Sequence, residues 1–208
     1  MKKVLSLIII CTLFIGTAQS QLSVGFKGGL TMANISFDVP HGISADYAIG
    51  GHAAVFLKSG KGLFSFQPEF MYIQKGSRIN STSDATYSQL TMNYFDVPLL
   101  LRVTIGIKIV EVYINLGPYG GYWFSGKTKN YFYDDTQGQW VTDKETYDFD
   151  TDHDVRYDAG FVGGVGVKVL MFLFEVRYGH GLIDVFDYKD DNNKEQNRYF
   201  NFSLGIQI

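Results

Sequence analysis

The 208-residue sequence contains one cysteine, Cys11, and that residue lies within the first twenty residues. This segment, MKKVLSLIIICTLFIGTAQS, has two lysines near its start, a short apolar run and the small-x-small ending Ala18-Gln19-Ser20. Such a layout is typical of a secretory signal peptide, and its apolar run is too short for a spanning helix. We therefore predict a signal peptide at residues 1–20 and a mature chain at 21–208 without cysteine, disulfide or lipid anchor.

Long apolar runs are also missing after this segment. No stretch of the mature chain approaches 18 consecutive apolar residues, which excludes a helical membrane protein. Basic charge is not in excess either, because 18 Lys and Arg residues stand against 21 Asp and Glu residues, a formal net charge of -3. This mild acidity argues against a nucleic-acid partner, which would require a basic stripe. Any role in a membrane would have to use strands.

Segments of alternating apolar and polar residues follow one another along the mature chain. The tail YFNFSLGIQI is the clearest, with Phe200, Phe202 and Leu204 on one side and Tyr199 and Asn201 on the other. A period of two predicts an extended strand with one apolar and one polar face. We predict a single all-β domain of eight antiparallel strands, which begin near residues 22, 46, 62, 93, 110, 154, 171 and 199.

Ionisable residues occupy the polar faces of these strands. In a soluble barrel such as a lipocalin they would face water, whereas in a membrane barrel the alternation is inverted and they face the axis. Periodicity alone leaves both arrangements open. The set comprises five cations and five anions: Lys27, Glu69, Asp96, Arg102, Glu111, Arg156, Asp158, Lys168, Glu175 and Arg177.

Three other features favour the membrane arrangement. The predicted connections alternate between short links, around 59–61, 106–108 and 169–171, and longer polar ones, the longest at about 126–153, as in outer-membrane barrels. Ile208 is apolar and in phase with the lipid-facing set, so the last strand should close against the first and leave no edge in lipid. Aromatic residues near the predicted strand ends suit headgroup belts. They are Tyr94, Phe95, Tyr119, Tyr122, Trp123, Phe124, Tyr178, Tyr199 and Phe200.

Four segments resemble the PorT-like outer-membrane β-barrel family of Bacteroidetes: GFKGGLTMANIS at 25–36, FDVPLLLRV at 95–103, NLGPYGGYWFSG at 115–126 and FEVRYGHGLIDV at 174–185. The resemblance spans nearly all of the mature chain, and its motifs mark strands and turns of a barrel. It implies an up-and-down barrel of eight strands in the outer membrane of a Gram-negative bacterium. It implies no known biochemical activity for most members, some of which belong to secretion and gliding machines.

Three prolines, Pro68, Pro98 and Pro118, fall within predicted strands. A closed barrel has no edge at which a missing N–H is harmless. We therefore expect β-bulges at these prolines or positions at the rim.

The lumen of an eight-stranded barrel is only wide enough for side chains. We expect the interior charges to pair with one another and to fill the lumen, with no open aqueous channel. A proton or small-ion path is the alternative use of these charges. A narrow pore for small solutes would need a wider barrel of ten strands.

The loop segment DFDTDHD carries Asp148, Asp150, Asp152 and Asp154 at alternate positions. In an extended conformation these carboxylates share one side and could gather a hard divalent cation such as Ca²⁺. The spacing lacks the glycine and the glutamate of a helix-loop-helix calcium site. A solvated extracellular loop is therefore the favoured interpretation, and neither a metal nor another cofactor is predicted.

Aromatic residues also lie in the longest predicted loop, mixed with charged ones. Exposed aromatic residues beside polar groups suit the binding of a partner. The alternative is that they cover the mouth of the barrel. The four residues are Tyr131, Phe132, Tyr133 and Trp140.

Catalytic residues are not predicted, because the sequence has no Gly-x-Ser-x-Gly elbow and spacing pairs none of its four histidines with a nucleophile. We predict a monomeric, non-enzymatic structural or interaction module of the cell envelope whose specificity lies in its extracellular loops. Outer-membrane lipid, other envelope proteins and surface glycans are the partner candidates. The alternatives are a narrow pore, a component of a secretion or gliding machine, and a soluble periplasmic or secreted ligand-binding barrel.

Overall fold

The computed structural model describes residues 22–36, 43–60, 62–81, 87–107, 109–134, 139–149, 154–186 and 195–208, so the predicted signal peptide lies outside it. Within these ranges no helix has the length and apolarity needed to cross a membrane. The described residues form nine strands: β1 (Leu22–Ser36), β2 (Ile43–Ser59), β3 (Phe64–Ser81), β4 (Tyr87–Gly106), β5 (Val110–Asp134), β6 (Gln139–Thr146), β7 (Tyr157–Val169), β8 (Phe172–Asp184) and β9 (Gln196–Gln207).

Eight of these strands close into an antiparallel barrel. They follow one another in the order β1-β2-β3-β4-β5-β7-β8-β9, and β9 returns to pair with β1. Two backbone hydrogen bonds complete this seam, from Val24 N to Ile208 O at 3.0 Å and from Ile208 N to Val24 O at 2.8 Å. Closure pairs the backbone groups that would otherwise form an unsatisfied edge. The predicted all-β barrel of eight strands is confirmed.

β6 lies outside this closed ring. It pairs with the end of β5, from Lys127 opposite Thr146 to Asp134 opposite Gln139. The other side of the same segment of β5 pairs with the start of β4. The first part of the longest predicted loop is therefore a β-hairpin. It continues β5 beyond the barrel wall and gives this strand a total length of 25 residues.

Most of the large apolar side chains of the barrel strands point away from its axis. On β9, Phe200, Phe202 and Leu204 are 36%, 40% and 68% exposed, whereas Tyr199 and Asn201 between them are buried. The same alternation exposes Phe172 and Phe174 on β8, and comparable residues on the other barrel strands. A continuous apolar surface of this kind precipitates in water and is stable against hydrocarbon. The soluble ligand-binding barrel is therefore excluded, because it requires the apolar faces to turn inward.

Short turns lie at one rim of the barrel, as predicted. Residues 60–63 join β2 to β3, residues 107–109 join β4 to β5, and Leu170 and Met171 join β7 to β8. Leu170 adopts a φ of 56°, in the left-handed region that tight hairpins require. The β5–β6 hairpin and the strand ends that the longer connections join lie at the opposite rim, which is the extracellular rim of an outer-membrane barrel.

The expected bulges at the prolines are not found. Pro68 lies opposite Leu99, and Pro98 lies opposite Tyr119, with the same register before and after each proline. In an antiparallel ladder each residue offers its N–H to only one neighbouring strand, so a proline removes one bond while the flanking pairs keep the register. Pro118 likewise keeps its register opposite Phe161. The register shifts occur elsewhere, at Tyr47/His52, Asn93/Tyr94 and His180/Asp184.

Candidate functional site

A cluster of four buried charges fills the middle of the lumen. Lys27 Nζ lies 3.0 Å from Glu69 Oε1 and 2.6 Å from Glu175 Oε1. Arg177 donates two hydrogen bonds to the carboxylate of Glu69, at 2.8 and 2.7 Å, and its Nε lies 2.7 Å from Glu175 Oε1. The side chains come from β1, β3 and β8 and are at most 1% exposed. Two cations thus balance two anions in a space without bulk water, where an unpaired charge is strongly destabilising.

Neutral amides extend this central cluster. Gln67 Nε2 donates to Glu69 Oε1 at 2.7 Å, and Asn115 Nδ2 donates to Glu175 Oε2 at 2.7 Å. Both amides lie on the inward face of their strands, in phase with the charged residues. They give the carboxylate oxygens further donors, as a buried ion pair requires in order to offset desolvation.

A second group of charges lies nearer the short turns. Arg102 Nη1 donates to Gln67 Oε1 at 3.0 Å, and its guanidinium carbon lies 3.4 Å from the centroid of the Tyr113 ring. Glu111 Oε2 is 3.8 Å from Arg102 Nη2, and Glu111 Oε1 is 3.1 Å from Lys168 Nζ. Glu111 and Lys168 are partly exposed, which marks the end of the buried network.

A third group lies nearer the extracellular rim and is centred on Lys75. Its Nζ is 2.8 Å from Asp96 Oδ2 and 2.8 Å from Asp158 Oδ2. The same ammonium lies 4.5 to 5.0 Å from the centroids of three aromatic rings, those of Tyr94, Tyr119 and Tyr199. Cation–π contacts in a desolvated site stabilise such an ammonium. Lys75 was not among the predicted network residues, although its even spacing from Glu69 places both on the inward face of β3.

Several of the predicted belt aromatics face the lumen, and for them the prediction was wrong. Four of the nine, Tyr94, Tyr119, Trp123 and Tyr199, are at most 3% exposed. Trp123 stacks on Tyr94 with ring centroids 6.2 Å apart and contacts Phe149 at 4.8 Å. These rings fill the outer part of the lumen because an eight-stranded barrel needs large side chains inside. The other five face outward, and among them Phe95 and Phe124 stack at 4.4 Å.

Arg156 does not join the interior charges, which corrects its assignment to them. It precedes β7, which begins at Tyr157, so the strand alternation does not extend to it. Its Nε donates to the backbone oxygen of Trp123 at 3.1 Å. Its guanidinium carbon lies 4.2 Å from the ring centroid of Phe149 and 4.9 Å from that of Tyr122. Arg156 therefore fastens the segment before β7 to the aromatic mouth of the barrel.

The predicted interaction aromatics lie on the β5–β6 hairpin. Tyr131 and Trp140 stack across its two strands with centroids 4.9 Å apart and an interplanar angle of 1°. Phe132 is 41% exposed and Trp140 is 45% exposed. The side chain of Tyr133 lies outside the described residues. Other rings fill the mouth, since Tyr147 and Phe149 pack on Trp123 there.

Only part of the predicted acidic site falls in the described ranges. Asp150 and Asp152 lie outside them, Asp148 is exposed, and Asp154 accepts a hydrogen bond from the Tyr147 hydroxyl at 2.9 Å. Among the described residues no group of three or more His, Cys, Asp or Glu side chains could hold a metal ion.

The geometry described above is a closed barrel with an apolar exterior and a polar, filled interior. A family model described as the outer membrane protein beta-barrel domain matches residues 17–187. The chain belongs to this family. Membership and the lipid-facing exterior assign it to the outer membrane of a Gram-negative bacterium. Comparison of the sequence with curated proteins found no match.

Several solved structures of outer-membrane proteins are similar to this chain in fold. Ail, the attachment invasion locus protein of Yersinia pestis, is 13% identical with a TM-score of 0.45, covering 89% of this chain and 98% of that one. Neisserial surface protein A is 12% identical with a TM-score of 0.46, over 92% and 99% of the two chains. OprG from Pseudomonas aeruginosa is 10% identical with a TM-score of 0.49, over 91% and 97%.

Proposed function

We propose that this outer-membrane barrel is a non-enzymatic interaction module of the cell envelope, with a plugged lumen and a contact surface on the β5–β6 hairpin. The observation that carries the proposal is the continuous packing of the lumen from Arg102 through the central charges to Lys75 and Trp123. A wall of eight strands that encloses so many large side chains leaves the hairpin and loops as the surface for a partner.

The interior contains one pair that has the spacing of a nucleophile and its base. His52 Nε2 lies 2.8 Å from Ser203 Oγ, while His52 Nδ1 lies 3.1 Å from Thr31 Oγ1. A catalytic triad would place a carboxylate at the Nδ1 position. Ser203 is 1% exposed, and the Thr31 hydroxyl donates a hydrogen bond to Asn201 Oδ1 at 3.0 Å. These contacts support a structural role for His52 inside a chain of hydroxyls and amides.

Planar-bilayer recording tests the plugged lumen. Refolded mature protein is expected to give no steady channel steps, because the ion-paired side chains of the central cluster occupy the axis of the barrel. A porin reconstituted in the same bilayers provides the positive control. Steady unitary steps from the refolded protein would contradict the proposal and favour the narrow pore.

The hairpin is proposed as the partner surface because Phe132 and Trp140 are exposed on its two paired strands. Exposed aromatic side chains have large contact areas and lose little conformational entropy on binding, and they dominate the energetics of many interfaces. The stacked rings of Tyr131 and Trp140 could bind either an envelope protein or a surface glycan. Membership of the PorT-like subset, which the four resembling segments suggest, would place such a partner in a secretion or gliding machine.

Photo-crosslinking on intact cells tests this surface. A photoreactive residue at position 132 is expected to capture a discrete partner, and Trp140→Ala should reduce that capture at an unchanged surface level, because it removes the ring stacked on Tyr131. The matched control carries the photoreactive residue at exposed position 170, in the turn at the opposite rim. The same adducts from both positions, or no effect of Trp140→Ala, would argue against the hairpin as the contact surface.

A further inference from the structure

Two basic side chains lie side by side on the outside of the barrel near its extracellular rim. His180 of β8 and Arg198 of β9 are direct cross-strand partners. Arg198 is exposed, while Asn197 and Tyr199 on either side of it are 1% and 0% exposed. Alternation therefore directs the guanidinium away from the lumen, and its partner His180 shares that face. Neither belongs to the interior charge network.

The residues beside this pair are neutral. Phe161 of β7 is the other cross-strand partner of His180, and Asn34 of β1 is the other partner of Arg198. Within the described ranges Arg198 forms no ion pair. A guanidinium on a lipid-facing surface is costly unless it meets an anion or water. The pair thus presents donors that the described part of the protein leaves to its surroundings.

The next acidic residue of β8 is Asp184, which lies beyond the register shift that follows His180. Its carboxylate already accepts a hydrogen bond from the backbone N–H of Glu195 at 3.1 Å. This carboxylate is therefore held by the residue that precedes β9, and the guanidinium of Arg198 keeps its positive charge on this side of the barrel.

The pair lies at about the height expected for the top of the apolar band. His180 lies nine positions after Met171 at the short turn. At about 3.3 Å per residue and a strand tilt of about 40°, this distance is about 23 Å, close to the height of about 25 Å of the apolar band of an outer-membrane barrel. Directly beneath, Tyr178 and Phe200 pack with ring centroids 4.9 Å apart, and Tyr178 stacks on His180 at 6.5 Å.

We propose that Arg198 and His180 form a headgroup site that binds the phosphate of an anionic lipid of the outer leaflet. A guanidinium presents paired N–H donors that match two phosphate oxygens, and the imidazole N–H adds a further donor. The acyl chains of the same lipid would lie against the Tyr178 and Phe200 rings. A lipid is favoured over free phosphate because the donors sit directly above an apolar surface, where a soluble anion would gain no second contact.

Native mass spectrometry of the refolded mature chain in octyl glucoside tests the proposal, with dioleoyl phosphatidic acid as the probe and dioleoylglycerol as the lipid without phosphate. The wild type is expected to retain phosphatidic acid in preference to the diacylglycerol. The double variant R198Q/H180Q should weaken retention by at least about fivefold, and Arg198→Lys, which keeps the charge but loses the paired N–H donors, should weaken it by less. Lys144→Gln on the exposed face of the hairpin is the matched control and should bind as the wild type does.

Closure of each variant barrel is checked by its mobility on unheated gels, so that a loss of binding is not confused with a failure to fold. The proposal is overturned if R198Q/H180Q folds and retains phosphatidic acid as the wild type does. Equal retention of dioleoylglycerol would show that the contact is apolar only. Displacement of the lipid by an equal concentration of inorganic phosphate would show a site for the free anion and would overturn the lipid assignment.

Discussion

Replacing Glu69 with glutamine is expected to lower the free energy of unfolding of the barrel by about 3–5 kcal/mol, the usual cost of removing one partner from a buried ion pair. The carboxylate of Glu69 accepts a hydrogen bond from Lys27 Nζ at 3.0 Å and two from the guanidinium of Arg177 at 2.7 and 2.8 Å. The variant would leave these two cations with Glu175 as their only carboxylate within the central cluster. The loss arises from a charge that remains buried and unbalanced, and much less from the loss of a single hydrogen bond.

The double variant K27M/E69Q separates charge balance from packing. It removes one cation together with the anion and leaves the contact between Arg177 Nε and Glu175 Oε1, which is 2.7 Å long. We therefore expect it to recover more than half of the stability lost in Glu69→Gln. Reversible urea unfolding in lipid vesicles, followed by tryptophan fluorescence in a Trp140→Phe background so that buried Trp123 alone reports, measures both. Glu145→Gln on the exposed face of β6 is the control and should change stability by less than about 0.5 kcal/mol.

A destabilisation below about 1 kcal/mol for Glu69→Gln would contradict this account. It would mean that water enters the centre of the lumen and screens the remaining charges. The balance of two cations and two anions would then have no energetic consequence, and the case for a plugged lumen would fail with it.

The faces of the strands could be predicted from the sequence because a period of two leaves only two choices for each strand. The apolar Ile208 and the alternation of short and long connections indicate that the apolar faces contact lipid. Residues on the opposite faces, such as Lys27 and Glu175, must then point into the lumen. Burial of the apolar side chains against lipid and closure of the last strand on the first then follow without further information. These features depend only on local alternation.

The misplaced residues have two causes, proximity to a strand end given more weight than alternation and an error in a strand boundary. Closeness to strand ends favours a belt position for Tyr94 and Trp123, but Tyr94 is in phase with Asp96 and Trp123 is in phase with Asn115, and both rings are buried in the lumen. The sequence predicts an interior Arg156 because it places the start of this strand near residue 154, three residues before the actual beginning of β7 at Tyr157. The partners of Lys75 come from strands distant in sequence, so no spacing along the chain indicates them.

Placing an arginine at position 165 is expected to lower the free energy of unfolding by about 2–4 kcal/mol, the cost of this side chain on the lipid face near the bilayer midplane. Val165 is 56% exposed on β7 and lies opposite Ile114 and Val176, so it is surrounded by other lipid-facing aliphatic residues. It is four residues from the end of β7 at the short turns and four from Phe161 towards the other rim. A guanidinium there cannot reach either headgroup layer without distorting the bilayer.

Val141→Arg on β6 is the matched control, because the same substitution is made on a strand outside the barrel wall. It should change stability by less than about 0.5 kcal/mol in the same urea titrations in vesicles. Equal stability of the two variants would mean that Val165 faces an aqueous or protein environment. The orientation of all eight barrel strands would then be reversed, since Val165 shares its face with the residues that the ladder places opposite it. A loss of stability in Val165→Arg but not in Val141→Arg would establish that hydrocarbon covers this face of the barrel in the vesicle membrane.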